Sequence, residues 1–110
     1  MGYNIRIAQS THKELANAVE YITMELASPF AVKKMLDEYD VALEALKTNP
    51  FAYPINHEVS AEVGFEVRRI RVRNYRIYYR ILDHIHTVQI ISFLHVRQDL
   101  PRHICRDLEQ

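Results

Sequence analysis

The residues richest in chemistry lie between Val67 and Arg80, where six arginines and three tyrosines fall within fourteen positions. The cations here are all arginine. A planar guanidinium makes forked contacts with phosphate or carboxylate that an ammonium cannot reproduce. In extended chain, alternation puts Arg69, Arg71 and Arg73 on one side of a strand, and Arg76, Tyr78 and Arg80 together on the next. Antiparallel pairing would gather several of these into one cationic, aromatic surface. Such a surface neutralises phosphates and stacks bases, as single-stranded RNA is commonly held. Arg68, Arg71, Arg73, Tyr78 and Arg80 are the candidate RNA contacts. The same residues equally suit an acidic, disordered peptide that folds on binding, or a sheet face that is only solvated.

His95 and Arg97 stand two apart at the end of a later apolar stretch, and His103 follows six residues on. Histidine transfers protons near neutrality, whereas arginine stays charged and can only stabilise anions. A strand-end histidine beside arginines has the parts for phosphodiester cleavage, with a base for a ribose 2′-OH and cations for the crowded phosphorane. The bland alternative for either histidine is a satisfied core or capping residue. His84-x-His86 has a metal-like spacing but no third ligand in its loop. Cys105 lacks the cationic setting of a nucleophile and reads as a packing residue. Tyr53-Pro54 reads as a loop anchored by its aromatic ring. With only Gly2 and Gly64 there is no glycine-rich phosphate loop, which argues against ATP and dinucleotide chemistry.

The elements that must position these residues follow from periodicity. Residues 3–8 alternate and read as a short strand. Thr11-His12-Lys13-Glu14 has capping-box spacing, and the helix after it lines up Leu15, Ala18, Val19, Ile22 and Leu26. Ser28-Pro29 restarts the chain as a serine cap with proline in the first turn. A second helix over about 29–47 aligns Val32, Leu36, Tyr39, Leu43 and Leu46, and closes an antiparallel hairpin. Residues 48–65 read as irregular, with a turn of helix as the one element expected, at Ser60–Glu62. The period then changes to two. Strands are expected at Val67–Arg73, at Tyr75–Leu82 and, apolar on both faces, at Thr87–Val96, with a short last helix starting at Asp99-Leu100-Pro101. The order β-α-α-β-β-β-α predicts an α+β domain spanning residues 1–110, a helical hairpin packed on an antiparallel sheet.

Composition sets the class: 48% apolar and 25% charged residues make a single globular domain able to bury a core without disulfides or structural metal. The longest apolar stretch, Thr87–Val96, is too short to span a membrane. Met1–Arg6 has no apolar signal-peptide core, and the lone Cys105 suits a reducing compartment, so a cytoplasmic location is expected. Net charge is zero, but residues 1–65 hold five basic and nine acidic residues, and residues 66–110 hold nine arginines and five acids. Nucleic acid could therefore be bound only locally.

Taken together and in order, four features resemble the RelE/ParE superfamily of type II toxin–antitoxin toxins over nearly the whole chain. They are the strand-helix-helix opening, Asn49-Pro-Phe-Ala-Tyr-Pro54, Arg69-x-Arg-x-x-Asn-Tyr-Arg-Ile-x-Tyr79 and Ile90-Ile-Ser-Phe-Leu-His-Val-Arg97. The resemblance implies one fold with two activities, and the fold does not choose between them. The RelE-like branch is a ribosome-dependent mRNA endonuclease. By position Arg69, Arg76 and Arg97 would serve its scissile phosphate, with His95 or His103 as base or acid and neither metal nor cofactor. His103 stands about where that branch commonly has a catalytic tyrosine, and Val67 where it has a lysine. The ParE-like branch inhibits DNA gyrase without catalysis. The arginine cluster and its positional matches point first to the nuclease, and the neutral charge and His-x-Arg ending to the gyrase inhibitor. Either branch implies a cognate antitoxin whose acidic segment wraps the basic sheet.

Overall fold

The computed structural model describes residues 2–98. The expected last helix, with His103 and Cys105, lies outside the described residues. Strand β1 (Asn4–Ile7) leads into two long helices, α1 (Gln9–Leu26) and α2 (Pro29–Thr48). A 3₁₀ turn at Pro50–Ala52 and a short helix α3 (His57–Val63) occupy the stretch expected to be irregular. Three strands follow: β2 (Arg68–Val72), β3 (Tyr75–Leu82) and β4 (Thr87–His95).

The hairpin forms for the reasons its sequence suggests. Ser28 Oγ accepts from the Ala31 amide at 3.2 Å, and Pro29 occupies the first helical position, where an absent N–H costs nothing. Between the helices Ala27 adopts a left-handed conformation (φ 47°), and its amide donates to the Thr23 carbonyl. The capping box does not form. Helix α1 begins at Gln9, ahead of Thr11, with Ala8 as a cap whose methyl group offers no hydrogen bond. Thr11 is buried inside the helix, and Glu14 is drawn to the sheet. Leu26 also departs from its expected stripe: at the end of α1 it is exposed, while Leu15, Ala18, Val19 and Ile22 reach the core. Gly64 closes α3 at φ 83°, a value that favours glycine.

The four strands lie in the order β1-β4-β3-β2. β2, β3 and β4 pair antiparallel as expected, and β1 adds parallel to β4, which makes the sheet mixed. The α1–α2 hairpin covers one face, over a core of Met35, Tyr39, Leu46, Ile77, Tyr79, Val88, Ile90 and Phe93. A smaller cluster on the opposite face joins Val67, Tyr78, Ile91 and Leu94 to Val59, Val63 and Phe65 of α3 and the segment after it.

One irregularity decides what each face carries. Tyr78 pairs with Ser92 and Tyr79 with Ile90, so Ile91 is an extra residue in β4, a β-bulge. Before it, Val88 and Ile90 face the hairpin; after it, Phe93 does, while Leu94 packs on the other side. Strand parity is thus reversed midway along β4. The Glu14 carboxylate holds the bulge. It accepts from Ser92 Oγ at 2.8 Å through both oxygens, and from the Phe93 amide at 3.0 Å.

Burial is the larger influence on Glu14 and holds its carboxyl above the usual range, against the hydrogen bonds from Ser92 and Phe93 that lower it. The folded state therefore keeps this proton more tightly than the unfolded chain. The stability it contributes is full below the ordinary carboxylate pKa and declines as pH rises through the raised one. Glu14→Gln keeps an acceptor without the charge, so its stability relative to the parent should increase from about pH 4 to about pH 7. Glu14→Ala should lose about 1–3 kcal/mol at either pH, because the buried Ser92 hydroxyl and the Phe93 amide lose their acceptor. Urea unfolding of the three proteins at both pH values measures this.

Candidate functional site

The face opposite the hairpin holds part of the expected arginine surface. Arg71 lies across from Arg76, and Arg69 across from Tyr78. Arg69 and Arg76 are half-buried, with guanidinium groups that pair with no other described residue. Arg80 stands over the Phe65 ring at 4.4 Å and donates through Nε to Gln89 Oε1 at 2.7 Å. Gln89 pairs in turn with Arg6 of β1, whose neighbours Ile5 and Ile7 face the hairpin core. Arg6 therefore extends the cationic row to the far edge of the sheet. Sequence reasoning missed it. The signal was the alternation Ile5-Arg6-Ile7, which has meaning only once β1 is known to join β4.

Three members of the expected RNA surface are engaged within the protein itself. Arg68 is 13% exposed in its side chain and ties down the preceding loop. It donates to the Tyr53 carbonyl at 2.6 Å and the Phe51 carbonyl at 3.2 Å, and pairs with Glu66 at 3.1 Å. Arg73, at φ 55° in the β2–β3 turn, reaches α2 and meets Glu38 at 3.3 Å. Tyr78 is only 3% exposed, packed under the α3 segment, and offers no stacking surface. Arg71 stays exposed, with Nε donating to the Arg73 carbonyl.

His95 and Arg97 are on the other side. His95 pairs with Tyr75 and meets its ring edge to face at 5.3 Å, on the side covered by α1. Its Nδ1 accepts from the Arg97 amide at 3.2 Å. Both residues line a cleft of about 590 Å³ with Glu14, Asn17 and Tyr21 of α1 and Tyr75 of β3. Burial pushes the Tyr75 phenol above its usual pKa. The bulge causes this separation, since it turns Phe93 and His95 toward the hairpin. A base and its phosphate-binding cations must reach one phosphate. Of the arginines considered, only Arg97 shares the cleft with His95, and among the described residues the arginine face has no strand histidine. His103 lies outside the described residues. In the hairpin loop the His86 ring stacks on Tyr3 at 3.9 Å, and Tyr53 packs against the main core, as its loop reading required.

The fold and these two surfaces belong to a small α+β domain, and comparison with known proteins gives its family. Residues 5–100 match the family described as ParE toxin of the type II toxin–antitoxin system parDE. The chain belongs to that family: it is a type II toxin of the RelE/ParE kind. Its fold is similar to that of the Mycobacterium tuberculosis toxin–antitoxin complex RelBE2, with TM-score 0.59 and 21% identity over 86% of this chain and 99% of that one. It is also similar to an E. coli RelE arginine-to-alanine mutant in the free state, with TM-score 0.58 and 16% identity over 88% and 86% of the two chains. The archaeal RelE–RelB complex from Pyrococcus horikoshii OT3 gives TM-score 0.51 and 16% identity, over 90% of this chain and all of that one (100%). No curated protein matches the chain by sequence. No helix of the described residues is long and apolar enough to cross a membrane.

The division of the arginines has a measurable consequence. Arg68→Ala should lower stability by about 1–3 kcal/mol, because it removes charge-assisted bonds to two loop carbonyls. Arg76→Ala, on an open face, should stay within about 0.5 kcal/mol of the parent. Parallel denaturant titrations compare the two.

Proposed function

We propose that this toxin acts by binding its target, as a ParE-like inhibitor of DNA gyrase, rather than by cutting RNA. One observation carries the reading: the β4 bulge puts His95 on the hairpin side of the sheet and leaves Arg69, Arg71 and Arg76 on the other. The family match favours the same branch. On this reading the open arginines are contact residues, each valued for fixed charge and forked geometry rather than for proton transfer.

A second reading, a ribosome-dependent mRNA endonuclease, is favoured by the unpaired guanidinium groups of Arg69 and Arg76 beside Arg71. There the arginines neutralise the scissile phosphate and its neighbours. A histidine, His103 in this arrangement, takes the 2′-OH proton or returns one to the leaving 5′-oxygen, with no metal in the scheme. Under either reading the partner in the cell is a cognate antitoxin, whose acidic segment lies on the arginine face. The similar RelBE2 and RelE–RelB structures, both complexes, support that partner.

Gyrase supercoiling and cell-free translation with primer extension on the mRNA separate the two readings. The expected result is inhibited supercoiling with intact mRNA, and an Arg69→Ala, Arg76→Ala double variant that remains folded but weakens inhibition at least tenfold. Ribosome-dependent cuts at A-site codons, with supercoiling unaffected, would overturn the gyrase reading.

A further inference from the structure

The sheet face that carries α3 is cationic, yet it offers a ligand neither a ring nor an apolar side chain. Arg71 and Arg76 stand opposite each other, and Arg69 lies on the same side two residues before Arg71. Arg6 registers with Gln89 and Gln89 with Arg80, so the row continues across β3 and β4 to β1. Arg6 and Arg71 are exposed, and among the described residues neither Arg6, Arg69 nor Arg76 has an acidic partner. The rings on this face are covered. Tyr78 is packed beneath the α3 segment, and Phe65 lies under the Arg80 guanidinium at 4.4 Å. The large apolar side chains that do reach solvent belong to the hairpin helices or to the turns, and none to a strand.

We propose that this face binds the sugar–phosphate backbone of duplex DNA. The inference deepens the gyrase reading, on which its place in the cell rests, because that enzyme works on duplex DNA. Single strands are held by charge together with aromatic rings on which unpaired bases stack, and this face supplies only the charge. In a duplex the bases already stack on one another, so phosphate contacts alone can hold it. The dimensions agree. Arg76 and Arg80 are four residues apart on β3, about 13 Å, and Arg6 lies two strand spacings from Arg80, about 10 Å. Over the longer of these a duplex presents about eight phosphate charges, so the open guanidinium groups of Arg6, Arg69, Arg71 and Arg76 can each meet one. Helix α3 carries Glu58 and Glu62, which confine the contact to the arginines beside it. An acidic antitoxin segment on the same face would exclude the duplex.

Fluorescence anisotropy of the full-length toxin with a labelled DNA duplex, and with the same sequence as single-stranded DNA and RNA, tests this without gyrase present. The expected result is micromolar duplex binding at about 50 mM salt, tighter than either single strand by about fivefold or more. The logarithm of the binding constant should fall against that of salt concentration with a slope of about −3 to −4, as four phosphate contacts require. Arg6→Ala and Arg76→Ala should each make the slope shallower by about 0.9 with the circular dichroism spectrum unchanged. Lys13→Ala, on α1, should leave the slope unaltered, which separates this face from general cationic attraction. A duplex left unbound at about 50 mM salt overturns the proposal. So does a single strand bound equally well, or a slope indifferent to both arginine variants. A toxin that inhibits supercoiling but leaves the duplex unbound overturns this contact and keeps the gyrase reading. One that binds the duplex through these arginines and leaves supercoiling unaffected keeps the contact and overturns the gyrase reading.

Discussion

The layout of the sheet depends on a single extra residue in β4 and on the carboxylate that accepts its freed donors. Strand side chains alternate strictly, so inserting Ile91 exchanges the faces of everything after it. Phe93 thereby enters the hairpin core, where it stacks on Tyr75 at 5.0 Å and meets Tyr39 edge to face at 5.2 Å. Burying such a ring contributes about 1.5–3 kcal/mol, and well-set aromatic pairs add to it. The bulge costs a ladder position, and Glu14 offsets that loss by accepting from Ser92 and Phe93. Packing and polar satisfaction thus favour the same register. The placement of His95 is a by-product of how the core is filled.

The second constraint acts at the other end of the sheet. The segment after α2 crosses the end of β2 and is held by the interior: Tyr79 Oη donates to the Pro50 carbonyl at 2.6 Å, beside the Arg68 bonds to Phe51 and Tyr53. Burial pushes the Tyr79 phenol far above its usual pKa, so it stays a donor at any working pH. The Arg69 amide donates to the Pro54 carbonyl, and Ile55 bridges to Arg68, so part of the β2 edge is covered rather than open to other strands. Arginines that look uniform in the sequence therefore divide by geometry. Arg68 and Arg73 hold loops and helices, Arg80 braces the sheet surface, and Arg69, Arg71 and Arg76 remain for a partner.

Most of the fold was legible because it rests on periods and caps. Ser28-Pro29 specified its helix start with local atoms alone, and the period-two run of Tyr75–Leu82 matched its strand to the residue. What was not legible depended on contacts distant in sequence. Thr11 and Glu14 have capping-box spacing, yet the stronger claim on Glu14 is 78 positions away at Ser92. Nothing local in Thr87–Val96 marks the bulge, since that strand is buried on both faces and a one-residue insertion leaves its apolar pattern intact. The candidate site inherits this limit. Alternation put Arg69 and Arg71 on one side together with Arg73, which the turn takes away to Glu38, and neither their pairing with Arg76 nor the face of His95 could be read without the register.

The zero net charge is a difference between faces rather than an absence of charge. The exposed sides of α1 and α2 carry Glu20, Glu25, Asp37, Asp40 and Glu44 against Lys13, Lys33 and Lys34, an acidic excess of two, while the strand face beneath α3 carries the open arginines. A polyanion is repelled from the first and drawn to the second, so the molecule orients its partner before any contact forms. Binding a protein target or a nucleic acid requires no more than that. Catalysis also requires a proton acceptor within reach of the same phosphate, and β4 turns its one histidine away from the arginine face. The extra residue that completes the hydrophobic core therefore bears directly on which activity the open arginines serve.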